Sequence, residues 1–313
     1  LPAMLSDIAV SWLLFRLGER YGNRALALAA VALYAFNPAV ILNSAVWGQV
    51  DGILTLFILL GVSLLETNPA GSAVSFALAL LIKPQALIFA PLPILWFAVR
   101  LVRRERNCAG DLLLFAGAAL TVFSLAVLPF AINHSPGWII TKYSDTLASY
   151  PFASLNAFNL FALTGANMAP AGEPFLFLSY SAWGYAFICL IVIFVTVVAF
   201  KGKALDRFLY IPLFLSAAVF VLSAKMHERY LFPALALLLL FHLASRERHR
   251  LLLFAGFSAT QYLNALAVLA LSHKEIYFVP RLDPLLLLVS LANVLLFILL
   301  ARIGYRRYLQ NVY

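Results

Sequence analysis

Apolar runs of membrane-spanning length follow one another along almost the whole chain, and few folds accommodate that pattern. A helix needs about 20 predominantly apolar residues to cross the hydrocarbon core of a bilayer. Such runs are read near 1–16, 25–42, 51–66, 109–131, 180–200, 207–224, 231–245, 251–271 and 284–301. They are continuous rather than alternating with polar residues, which indicates helices and not the strands of a barrel. Composition agrees. The 313 residues are 64% hydrophobic and 11% charged, where a soluble domain carries roughly a quarter charged. With a mean hydropathy of +0.95 there is too little polar surface to cover a water-soluble globule. The expectation is an all-α, polytopic transmembrane protein of about nine spans forming a single domain, 1–313.

Orientation follows from lysine and arginine, which favour cytoplasmic connections. Most of the 22 basic residues fall in five of them: Arg16, Arg20 and Arg24; Arg100, Arg103, Arg104 and Arg106; Lys201, Lys203 and Arg207; Arg246, Arg248 and Arg250; Arg302, Arg306 and Arg307. The net charge of +9 is therefore read as topology, with no nucleic-acid partner. Residues 73–99 lie between two connections that should both be cytoplasmic, yet are too few for two full crossings. Pro84, Pro91 and Pro93 interrupt the run, so a re-entrant or broken-helix hairpin is expected, the alternative being one kinked span. The long segment 132–179 belongs on the non-cytoplasmic side, with its aromatics in the interface. Cys108 and Cys189 make no disulfide framework. The chain opens at Leu1, at the end of an apolar segment, so something is expected upstream.

Polar residues that are costly in a membrane mark the chemistry. The first group is Asn37-Pro38, Asn43 and Trp47-Gly48-Gln49-Val50-Asp51. Trp47 alone reads as an interface anchor, and Asp51 either caps the following helix or lines a site. The second is Lys83-Pro84-Gln85, where an ammonium among apolar neighbours needs an anion or a wet cavity, unless it snorkels. The third is Lys225-Met226-His227-Glu228-Arg229-Tyr230, a compact cationic loop between two apolar helices. Arginine forks onto phosphate oxygens, with lysine and histidine assisting, and Glu228 orients its neighbours. Asn156 and Asn159 could hydrogen-bond a polar substrate. His134 and His273 have no second ligand at metal spacing, so no metal site is read, although the chemistry leaves a divalent ion open. No Walker loop, Rossmann fingerprint or nucleophile elbow is present.

In order and spacing these segments, with Tyr150-Pro151 and Ser154-Leu155-Asn156-Ala157-Phe158-Asn159, resemble the GT-C superfamily of polyprenyl-phosphate-sugar-dependent glycosyltransferases. The likeness is nearer to bacterial relatives of the GPI-anchor mannosyltransferases and runs from about residue 37 to 233. Asparagine-linked-glycosylation glucosyltransferases carry a comparable series: an H-x-Q-x-N stretch, a lysine-glutamine pair and a late H-E-K/R loop. The resemblance implies an inner-membrane enzyme of the bacterial cell envelope, working on the external face. It implies transfer of a hexose, mannose favoured, from a polyprenyl-phosphate donor to a glycan, lipid or protein acceptor, with inversion. Family members use an aspartate of the first external loop as base, which here is expected upstream of Leu1. Asp51 is the best carboxylate within the chain. Lys225, His227, Arg229 and Lys83 are expected on the donor phosphate, and Gln49, Trp47, Gln85, Asn156 and Glu228 near sugar or acceptor. A transporter, flippase or ligase of lipid-linked sugars is the alternative.

Overall fold

The computed structural model of the chain describes residues 1–135, 137–204 and 206–310. It is almost entirely helical. In chain order come α1 (Pro2–Arg20), α2 (Arg24–Ala35), α3 (Pro38–Ile41) with a π turn (Leu42–Val46), α4 (Asp51–Leu64) and α5 (Pro69–Ile82). A 3-10 turn (Pro84–Phe89) leads into α6 (Pro91–Val102), followed by α7 (Cys108–Ala131) and α8 (Trp138–Ala148). Then follow β1 (Ser154–Leu155), α9 (Leu160–Leu163), β2 (Pro174–Phe175), β3 (Leu178–Ser179), α10 (Tyr180–Lys201) and α11 (Arg207–Leu222). The chain ends with β4 (Met226–His227), α12 (Pro233–Ser245), α13 (Arg248–Ser272), α14 (Pro284–Gly304) and a second π turn (Tyr305–Leu309).

Local chemistry explains the breaks. The side chains of Asn23, Asn68, Ser179 and Asp283 each accept a backbone N–H of the turn that follows, capping α2, α5, α10 and α14. Proline opens α3, α5, α6, α12 and α14, where the missing N–H costs nothing. Pro84 also ends α5, because the residue before a proline is pushed out of the helical region and Lys83 is extended (φ −148°, ψ 130°).

Five helices are long and apolar enough to cross a membrane: 84–102, Cys108–Ala131, Tyr180–Lys201, Arg248–Ser272 and 284–309. The count is six if α2 and the α3–π segment, bent by 45°, form one span. The expected spans at 51–66, 207–224 and 231–245 are apolar helices, but of only 14, 16 and 13 residues. Their surroundings account for this. Nearly every residue of α11 and α12 is buried in protein, whereas in α7 only Cys108 is. Leu113, Leu120, Leu125, Leu128 and Phe130 of α7 project outward instead, as a lipid-facing helix requires. A helix wrapped on all sides by other helices need not match the thickness of the hydrocarbon layer.

The two ends of the bundle differ in chemistry. At one end the five basic connections meet. Arg246 donates to the Tyr21 carbonyl, Arg307 pairs with Asp206 (2.8 Å) and Glu247 (2.6 Å), and Arg250 lies fully buried 3.5 Å from Asp206. Glu66, Arg100, Arg103 and Arg207 line one cavity there, so α5 begins and α6 ends on the same face. The expected hairpin at 73–99 therefore has longer arms than its sequence limits, 69–82 and 84–102, the second of full spanning length. Its tip, Lys83, reaches the opposite end, where the remaining polar segments gather.

Candidate functional site at the Asp51 end

Four separated segments converge at this end. The first is the turn before α4. Gly48 takes a left-handed conformation (φ 72°), and the Gln49 N–H donates to the Asn43 carbonyl, closing the link from the π turn to Asp51. π turns inside helices frequently mark functional sites. Asp51 is the first residue of α4 and fully buried. Its carboxylate makes no cap bond to its own helix. It faces the tip of the hairpin instead, with Oδ1 2.6 Å from Lys83 Nζ. Asp51 thus sits in the first turn of α4 with its side chain turned to Lys83, and Lys83 is paired rather than snorkelling.

The loop between α11 and α12 supplies the other side. Arg229 Nε lies 4.0 Å from Asp51 Oδ2 and 3.3 Å from Glu228 Oε1, and the guanidinium sits over the Trp47 ring at 5.1 Å. Trp47 is therefore more than an interface anchor: it forms one wall around a cation. Glu228 is buried, with His227 Nδ1 3.6 Å from Oε2. Burial pushes the Glu228 carboxyl up, but the His227 ring and the Arg229 charge outweigh it and leave the group below its ordinary value. His227 also packs edge-on against Tyr150 at 4.6 Å. Gln85 donates to the Tyr230 carbonyl and Gln261 of α13 to the Glu228 carbonyl, tying the loop to two neighbouring helices.

The loop is positioned by a strand pair. β1 and β4 run parallel, Ser154 opposite Met226 and Leu155 opposite His227. Asn156 stands just beyond, in a left-handed conformation (φ 54°), and it is a clamp. Its side chain donates to the Tyr277 carbonyl and accepts from Asn167 and the Val279 N–H, while its carbonyl accepts from Asn264. Asn159 is likewise occupied, capping α9 and donating to the carbonyls of Phe220 and Ser223. The two asparagines expected near a substrate hold the loops together instead.

Lys225 opens the same loop. Its N–H bonds the carbonyls of Phe152 and Ala153, and the residue lines a small cleft with Ser181, Gly184 and Tyr185 of α10. Two residues beyond the expected set join the site. Gln261 has been described. Asp7 of α1 accepts from the Tyr34 hydroxyl at 3.1 Å and lies so close to Gly52 that a Cβ there would come within 2.7 Å of its Oδ1. The signal for both was available, since each is a polar side chain inside an apolar run.

Several buried polar atoms of the cluster make no hydrogen bond: Asp51 Oδ2, Gln85 Oε1 and Gln261 Oε1, with both amide atoms of nearby Asn43; Arg229 Nε is held only by its ion pairs with Glu228 and Asp51. Each such atom costs on the order of 1–3 kcal/mol; Asp206 Oδ2 and Arg250 Nε and Nη2 at the arginine-rich end likewise make no hydrogen bond. Among the described residues no three His, Cys, Asp or Glu side chains gather as a metal-ligand group. The formal charges of Asp51, Lys83, Glu228 and Arg229 cancel, so an anion would be held by directed donors rather than by surplus charge. No protein-family model matches the chain, and no curated protein matches it in sequence.

Proposed function

We propose that this chain is a membrane glycosyltransferase of the GT-C type, with about nine spans and a broken hairpin. It moves a hexose, mannose favoured, from a polyprenyl-phosphate donor to an acceptor on the non-cytoplasmic face of the bacterial inner membrane. One observation carries the reading. Asp51, Lys83, Glu228 and Arg229, brought from three distant segments, meet at the end of an apolar bundle with unpartnered polar atoms between them. Intramembrane charges arranged this way mark a site that handles a polar group in a lipid setting.

The chemistry fits that task. A lipid phosphate is a good leaving group, so the enzyme needs mainly to hold it and align a hydroxyl behind the anomeric carbon. The acceptor oxygen bonds that carbon as the bond from carbon to the phosphate oxygen breaks, and the bonding pair stays with the phosphate. Arg229 and His227 are the donors for that phosphate. Asp51 Oδ2, which makes no hydrogen bond, is the proton acceptor, while Lys83 holds the carboxylate in place. Gln85, Gln261 and the Trp47 face suit a sugar, which offers hydroxyls on its edge and apolar C–H groups on its face.

The test is transfer of a radiolabelled sugar from polyprenyl-phosphate mannose or glucose in membranes carrying the chain. Arg229→Ala abolishes transfer while membrane insertion is kept, at some cost in thermal stability because Glu228 loses a partner. Normal transfer by that variant overturns the assignment. Donor movement across vesicles without transfer supports a flippase, and a requirement for two lipid-linked glycans supports a ligase.

A further inference from the structure

At the arginine-rich end, opposite the Asp51 cluster, one buried cation has only distant carboxylates, Glu105 and Asp206, to balance it among the described residues. Arg207, the first residue of α11, is 4% exposed. Its Nε donates to the Ala199 carbonyl and its Nη1 to the Ala204 carbonyl, both at 3.1 Å, and the guanidinium lies 4.6 Å from the Phe208 ring centroid. Among the described residues no carboxylate stands within ion-pair distance of it. The neighbouring buried arginine, Arg250, has Asp206 and Glu247 at 3.5 and 3.6 Å. Carbonyls and a ring orient a guanidinium but do not cancel its charge, and a buried charge without a partner is strongly unfavourable.

Arg207 lines a cavity of about 330 Å³ between α6 and α11, against roughly 30 Å³ for one water in the liquid. Arg103 and Arg100 line the same cavity, with Trp96, Val99, Phe208 and the carboxylates of Glu66 and Glu105. Arg100 is already engaged, by Glu105 at 2.9 Å and Asp111 at 2.8 Å. Arg103 and Arg207 are left facing the space. Beside Arg103, Leu101 and Val102 are 47% and 69% exposed, so the cavity lies next to surface that faces acyl chains. Basic pockets between membrane helices are where anionic headgroups dock.

We propose that Arg207 and Arg103 bind a phosphate group in this cavity, supplied either by an anionic phospholipid headgroup or by free phosphate. A phosphate there would stand closer to Arg207 than the carboxylates of Glu105 and Asp206 do, and a headgroup seated there locks α6 to α11. This site is separate from the proposed donor site and stands or falls independently of it.

The experiment measures binding by native mass spectrometry and thermal shift on the purified full chain in neutral detergent. The probes are phosphatidylglycerol, phosphatidylcholine and inorganic phosphate at fixed ionic strength. Phosphatidylglycerol is expected to bind and to raise the unfolding midpoint, and phosphatidylcholine to do neither. A shift with inorganic phosphate alone assigns the site to free phosphate. Arg103→Gln weakens the effective probe about tenfold, the loss of one charge-assisted contact, and Arg207→Gln does at least as much. Arg24→Gln at the same end, whose side chain is 78% exposed, changes nothing. If Arg207→Gln fails to fold, Arg103→Gln carries the test. Equal binding of all three probes, an unaffected Arg103→Gln variant, or an equal loss in Arg24→Gln overturns the proposal.

Discussion

The Lys83 ammonium lies 2.6 Å from the Asp51 carboxylate, across 32 residues of chain and from the tip of one hairpin to the first turn of another helix. Asp51 is fully buried and the Lys83 side chain is 19% exposed, so neither charge is well hydrated without the other. Removing one partner of such a pair leaves an uncompensated buried charge. Lys83→Met should lower stability by about 3 kcal/mol. The double variant Asp51→Leu with Lys83→Met should recover most of that loss. Unfolding in detergent, followed by denaturant or heat, measures both, and strictly additive losses would refute the coupling.

Arg229 is held by two carboxylates and a tryptophan face at once, an arrangement only a planar guanidinium satisfies. Arg229→Lys should therefore leave the chain folded yet fail to restore sugar transfer lost in Arg229→Ala. Trp47→Ala should reduce transfer less than either, because it removes a wall and not a donor. A lysine variant with full transfer would reduce the role of Arg229 to charge alone.

Glu228 gives the site an acid limb. Its carboxyl lies below the ordinary value of 4.5 in the folded chain, the His227 ring and Arg229 outweighing burial. A depressed folded value means the carboxylate adds stability above 4.5, and that this contribution fades as pH falls through the lower folded value. Glu228→Gln should flatten the fall of the unfolding midpoint on the acid side and leave its neutral plateau shifted by a constant amount. Parallel acid limbs in the two proteins would contradict this.

Gly184 lets α10 approach the loop that carries Lys225. A Cβ at this position would come within 2.9 Å of the Ala224 backbone nitrogen and 3.2 Å of its Cβ. Backbone on the far side cannot yield as a flexible side chain could. Gly184→Val should cost about 1–3 kcal/mol and lower transfer by displacing the 225–230 loop. The unfolding midpoint and the transfer rate together check it.

Much of the site was legible because charge is conspicuous in an apolar sequence. Lys83, Asp51 and the 227–229 loop stood out against their neighbours, and the grouping of basic connections indicated that they would share an end. Asn156 stood out equally, yet its amide and carbonyl are taken up by Tyr277, Val279, Asn167 and Asn264. Sequence marks a polar residue as expensive without saying whether backbone carbonyls or a ligand will satisfy it. Gln261 and Asp7 were overlooked inside runs read as featureless spans. The count of spans was the least legible quantity, since an apolar stretch of 13 or 16 residues looks the same whether lipid or protein surrounds it.

The contrast between α7 and the α11–α12 pair also determines how such a chain can change over time. Residues on the outer face of α7, such as Leu113, Leu125 and Leu128, need only dissolve in acyl chains, so leucine, isoleucine, phenylalanine and valine can replace one another there with little effect. Residues 207–243 must interlock with neighbours on every side, and each exchange there requires an answering exchange across the contact. Divergent kin of this chain would thus keep their likeness in its two most enclosed helices, α11 and α12. Kinship would be recognised there by coordinated pairs of side-chain volumes and not by shared letters.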